Sequence, residues 1–137
     1  MTEPEGDLAE LAGRLFDMAR SGNAATLAAY VDAGVPVNLT NGAGDSLVML
    51  AAYHGHPETV RVLAERGADV NRPNDRGQTP LAGAVFKGED EVVELLVAAG
   101  ADPAAGHPSA IDAAQVFGRA GYLELFGGAG PSVSAQK

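Results

Sequence analysis

Apolar residues recur along the chain at helical spacing, in paired blocks separated by glycine. From Pro80 to Lys87, Leu81, Ala84 and Val85 make one apolar side; from Asp90 to Ala99, Val92, Val93, Leu95 and Leu96 make another, with Glu91 and Glu94 outward. The pattern predicts a short helix over 80–87 and a longer one over 90–99. Local chemistry marks both ends. Thr79 suits an N-cap and Pro80 the first helical position, where a missing N–H costs nothing. Gly88 permits a tight turn between the helices, and Gly100 follows the second at the position that needs a left-handed backbone. The stretch 69–77, DVNRPNDRG, is dense in turn formers and reads as a protruding hairpin-like connection. The unit is loop, helix, turn, helix, and the fold class is all-α.

The unit repeats. Gly22, Gly55 and Gly88 are spaced by 33, as are Gly34, Gly67 and Gly100, and Gly44 and Gly77. Val37, Val70 and Pro103 share one phase, Asn38 and Asn71 the next, and Ser46 and Thr79 another. Beyond residue 103 the phase slips by three: Thr79 matches Ser109, Gly88 matches Gly118, Leu95-Leu96 matches Leu125-Phe126, and Gly100 matches Gly130. Ten of the eighteen glycines thus sit in the repeat frame and mark turns rather than flexibility.

Several motifs carry a specific resemblance: Gln78-Thr79-Pro80-Leu81 at a helix start, Gly55-His56-Pro57-Glu58 at an inter-helix turn, and Gly67-Ala68-Asp69-Val70-Asn71 at a unit's end, echoed by Gly100-Ala101-Asp102. A 33-residue unit with these elements resembles the ankyrin repeat, over roughly residues 8–127. The resemblance implies a solenoid of stacked helix-turn-helix units at 8–38, 39–71, 72–104 and 105–127, the outer two acting as caps. Residues 1–7 and 128–137 are expected to be disordered ends, the latter because its small polar residues cannot offset the entropy of ordering. The His that usually follows Thr-Pro-Leu is replaced by Met49, Ala82 and Asp112, which removes the usual tie between neighbouring loops.

Charge and composition narrow the function. Eighteen acids against nine bases leave a net charge of -9, which disfavours a phosphate backbone, since counterion release requires clustered Lys and Arg. Without cysteine there is no disulfide, thiolate nucleophile or Cys-type zinc site. The acidic Met1–Asp7 segment does not read as a signal peptide, and the longest apolar run, Leu47–Tyr53, is far short of the ~20 residues that span a bilayer. Abundant Ala and Gly beside four Phe, three Tyr and no Trp fit a GC-rich genome, so a bacterial cytoplasmic protein is expected.

Catalytic patterns fail when tested. Gly83–Gly88 begins like a phosphate loop but continues with Glu89 where Lys is required, and Gly42-Ala43-Gly44 lacks the later glycine of a dinucleotide fingerprint. His54 and His56 flank Gly55, but the other histidine, His107, belongs to a distant unit; His56 sits at the family's turn position, where a ring nitrogen can satisfy backbone groups. Asp45 and Asp75 read as solvated turn formers, and the cluster Glu89, Asp90, Glu91 and Glu94 as a helix start favoured by the helix dipole. No catalytic residue, cofactor or metal is expected.

The resemblance implies a concave surface, built from loop tips and exposed sides of the first helices, that contacts another protein. It would include Asp45, Tyr53 and His54 in the second unit and Asp75, Arg76, Gln78, Phe86 and Lys87 in the third. Tyr53 and Phe86 share a phase, and Ala51, Ala52, Ala84 and Val85 can supply the core between units without them. The two rings therefore read either as interface residues or as covers over gaps between helices. The function expected is a monomeric adaptor or regulator that binds a protein partner, not nucleic acid or membrane. The alternative is a subunit that regulates or stabilises a separately encoded enzyme, with an independent hydrolase third.

Overall fold

The computed structural model describes residues 4–128. Within them lie α1 (Pro4–Ser21), α2 (Ala24–Asp32), α3 (Leu47–Tyr53), α4 (Pro57–Glu65), α5 (Pro80–Lys87), α6 (Asp90–Ala98), α7 (Ala110–Val116) and α8 (Ala120–Gly128). The described residues contain no strand; isolated bridges Thr40–Ser46 and Gly106–Ser109 close the turns before α3 and α7. The third unit follows the sequence pattern closely, α5 spanning 80–87 as expected and α6 ending one residue earlier than expected.

Each boundary has a local cause. Ser46, Thr79 and Ser109 sit in extended conformation ahead of α3, α5 and α7, and their hydroxyls accept from the N–H of Met49, Ala82 and Asp112 at 3.1, 3.2 and 3.1 Å. Asp112 returns the bond, its Oδ2 accepting from Ser109 N and completing a capping box. The nine frame glycines among the described residues all have positive φ, from 65° at Gly118 to 118° at Gly34. The tenth, Gly130, lies outside them. One glycine missed by the frame, Gly106, shares this conformation at φ 91°, and a Cβ there would fall 2.8 Å from Thr79 Cγ2.

The first helices form a row, α1 on α3, α3 on α5 and α5 on α7, and the second helices form another, α2 on α4 and α4 on α6. Between the rows lies one continuous core containing Leu15, Leu27, Leu63, Leu81, Val93 and Leu96. Ala51, Ala52, Ala84 and Val85 are fully buried in it, so small side chains let neighbouring first helices approach.

Polar side chains tie unit to unit. Asn38 Oδ1 accepts from Asp69 N at 2.8 Å, and Asn71 Oδ1 from Asp102 N at 2.6 Å, so the asparagine closing one unit fastens the corresponding turn of the next. Backbone bonds also join neighbouring loops: Asp75 N donates to Ala43 O at 3.0 Å, and His107 N to Gly77 O at 2.9 Å. Buried Asn74 adds more, its Oδ1 accepting from the N–H of Arg76 and Gln78 while its Nδ2 donates to Asp45 Oδ1 at 2.9 Å.

At the chain's ends, α1 begins at Pro4, ahead of the expected boundary at residue 8, and α8 runs through Gly128. Residues 1–3 and 129–137, which are three of the seven residues of the first expected disordered end and nine of the ten of the second, lie outside the described residues.

Candidate functional site

The first-helix face carries a cavity of about 380 Å³ between α3, α5 and α7. Its floor includes Ala82 and Gly83 of α5, where a missing side chain leaves room: a Cβ on Gly83 would lie 3.3 Å from Tyr53 Cδ1. Its apolar walls are Tyr53, Phe86, Val116 and Phe117, exposed by 40%, 50%, 76% and 47%. These four occupy the ends of three successive first helices and sit outside the core. Phe86 and Phe117 meet edge to face, centroids 5.2 Å apart.

Cations stand over two of the rings. Lys87 Nζ is 4.4 Å from the Tyr53 centroid, and Arg119 Cζ is 6.0 Å from that of Phe117. His54, exposed, is edge-on to Tyr53 at 5.6 Å. Partial burial, followed by the positive charges of Lys87, His56 and Arg20, holds the His54 imidazole below the usual histidine range.

The expected site residues divide into two groups. Tyr53, Gln78 and Phe86 line the cavity, and Lys87 and His54 stand beside it on the Tyr53 ring. Asp45, Asp75 and Arg76 lie at the loop tips outside it and take part in loop architecture. Asp45 accepts from Asn74, the Asp75 side chain packs against Gly44, and the Arg76 N–H is held by Asn74. Gln78 also serves the loop, its Oε1 accepting from Asn74 Nδ2 at 2.7 Å. Val116, Phe117, Asp112 and Arg119 were missed. The signal was available, because the three-residue slip that aligns Thr79 with Ser109 also carries Tyr53 and Phe86 onto Val116, and Lys87 onto Phe117.

His56 has the structural place expected for it, with Nε2 2.7 Å from the Arg20 carbonyl oxygen. Of the acidic cluster around the start of α6, Glu91 and Glu94 line a second cavity, about 430 Å³, between α4 and α6, together with Glu58 and Arg61. Arg61 bridges Glu58 and Glu65 and lowers the Glu58 carboxyl below its usual range. Asp90 accepts from the Tyr122 hydroxyl; burial, then this bond, push that phenol up to about 12. Among the described residues no group of three His, Cys, Asp or Glu could hold a metal ion, and no helix is long and apolar enough to cross a membrane.

Comparison with known proteins agrees with this architecture. The family described as ankyrin repeats (3 copies) matches residues 15–106. An ankyrin repeat protein of Pseudomonas aeruginosa, PA3287, is 49% identical over 57 residues, 40% of this chain and 33% of that protein. The crystal structure of the human ASB11 ankyrin repeat domain is similar at a TM-score of 0.62 and 32% identity, covering 65% of this chain and 40% of that one. The chain thus spans well under two thirds of either protein's length. With the family matched over more than half its residues, on a fold of stacked helix pairs, the chain belongs to the ankyrin-repeat family.

Proposed function

We propose that the protein is a binding module that holds another protein on the concave, first-helix face of its solenoid and performs no chemistry itself. Ankyrin repeats are in general protein-interaction modules, which sets the class; the face is argued from this chain. The observation that carries it is the exposed apolar wall of Tyr53, Phe86, Val116 and Phe117. The alanine-rich core closes behind these side chains, so the fold does not require them, and rings flanked by Lys and Arg are the types that dominate interface energies. A bacterial origin is part of the same reading, supported by composition and by the similarity to the Pseudomonas protein, and a cytoplasmic, monomeric protein is proposed with it.

Replacing Phe86 and Lys87 with Ala tests the assignment. Thermal unfolding should stay nearly unchanged, while capture of a partner from native lysate, read by mass spectrometry, should be lost. Undiminished capture would sink it. A captured enzyme whose turnover or lifetime changes on binding would make the module a regulatory subunit.

A further inference from the structure

We propose that the groove receives an acidic segment of the partner, seating a large apolar side chain against Phe86 and Val116 and directing a neighbouring carboxylate to Lys87. This rests on the reading of the groove as a protein-binding site and adds the chemistry of what it binds.

The protein carries a net charge of -9, yet the cations beside the groove lack acidic partners. Arg20, Arg61 and Arg66 each pair with a carboxylate, whereas Lys87 and Arg119, like Arg14, Arg72 and Arg76, have none within ion-pair distance among the described residues; Lys87 and Arg119 are set apart because they rest on rings that line the groove. A cation on an exposed ring is held more weakly than one in a charge-assisted hydrogen bond, so Lys87 can accept a carboxylate without leaving Tyr53.

The nearby acids do not cancel this. Asp112 is the one carboxylate lining the groove, and it is committed to the capping box at the start of α7, whereas Lys87 ends α5. Glu89, on the same edge as Lys87, is folded against Gly55. Loop-tip Asp45 is held by Asn74. Crowding of Lys87, His56 and Arg20 around His54 is a separate sign that positive potential gathers on this edge. An acidic and apolar segment satisfies both halves of the site; a basic one would meet Lys87 and Arg119, and a purely apolar one would leave the cations unused.

The test selects random phage-displayed dodecapeptides on the immobilised full chain, with parallel selections on Phe86→Ala, Lys87→Glu and Lys87→Arg. Selected sequences should pair Leu, Ile or Phe with Asp or Glu close in sequence. A synthetic selected peptide should lose about tenfold or more in affinity on Lys87→Glu, hold its affinity on Lys87→Arg, and weaken as salt is raised. If Lys87→Glu shifts thermal unfolding, Lys87→Gln replaces it. Peptides that need Phe86 but lack acidic residues and ignore Lys87→Glu would overturn the acidic partner while leaving the binding module intact. Absence of any peptide dependent on Phe86 would remove both. Self-association seen by light scattering and lost on Phe86→Ala would make the occupant a second copy, which also overturns the proposal.

Discussion

The His56 ring stands over Gly22, so close that a Cβ on Gly22 would fall 2.5 Å from His56 Nδ1, while Nε2 of the same ring reaches the Arg20 carbonyl. Gly22 also has φ 80°, so it lacks a side chain for two reasons. Gly22→Ala should therefore cost about 1–2 kcal/mol for the left-handed backbone and about 1 kcal/mol more for displacing the hydrogen-bonded ring. Gly67→Ala supplies the comparison, since Gly67 has φ 90° but nothing within 4 Å of an added Cβ. Denaturant midpoints should fall further for Gly22→Ala; equal losses would remove the steric part of the argument.

One unit later, Glu89 takes the place of His56, its carboxylate 2.7 Å from where a Gly55 Cβ would be. An ionised carboxylate only accepts, so it cannot donate to a backbone carbonyl as an imidazole N–H can. Glu89→His should supply that donor toward the carbonyl of Tyr53, which corresponds to Arg20, and stabilise the protein by about 1 kcal/mol. Thermal unfolding at neutral pH measures it, and an unchanged or lower midpoint would count against the correspondence.

Buried Asn74 joins two loops through its side chain, accepting from Arg76 N and Gln78 N and donating to Asp45 and Gln78 Oε1. Asn41, at the same position one unit earlier, accepts from Ala43 N and Asp45 N but is less buried. Asn74→Ala should cost about 2–3 kcal/mol, because it leaves buried partners unsatisfied, and Asn41→Ala less. Hydrogen exchange should show amides 74–78 losing protection in Asn74→Ala; retained protection would mean that backbone bonds alone hold the loop.

These cases show why the helices were legible and parts of the site were not. Thr79, Pro80, Gly88 and Gly100 act within a few residues of themselves, so a linear pattern suffices to bound α5 and nearly suffices for α6. Asn74 reads locally as a turn former, and nothing in its neighbourhood along the chain reveals Asp45, a unit away, as a partner. Gly106 was hidden because the fourth unit's loop is shorter and its register with Gly77 is lost. Val116 and Phe117 escaped for a related reason: the groove forms between units, and its third wall lies beyond the slip in phase.

The Thr59 hydroxyl in α4 is fully buried, and no group among the described residues pairs with it. The corresponding residue one unit on is Val92, 1% exposed, in the core of α6. The helix position therefore accommodates a branched apolar side chain of the same shape. Thr59→Val should raise stability by about 1 kcal/mol by removing an unsatisfied polar group, and Val92→Thr should lower it by about 1–3 kcal/mol. A loss of stability in Thr59→Val would show that the hydroxyl is satisfied in solution.

Arg66, at the end of α4, reaches back to Asp32 at the end of α2 with two parallel bonds, Nε to Oδ1 at 2.9 Å and Nη2 to Oδ2 at 3.2 Å. The hydrogen bond to Arg66 holds the Asp32 carboxyl below its ordinary value of 3.8, against a smaller desolvation that raises it. A depressed folded-state value means that the unfolded chain takes up the proton first. The pair's contribution is therefore present above the unfolded value and lost as pH falls from there through the folded one. Asp32→Asn should be less stable than the parent at neutral pH, by a small margin because the pair is exposed to solvent and screened. That margin should close as pH falls through the carboxylate range, and shrink also when salt is added at neutral pH. Paired denaturation curves across pH measure it, since other titrating groups are common to both proteins and cancel in the difference; a margin that persists well below pH 3.8 would place the effect of Asp32 in packing rather than in its charge.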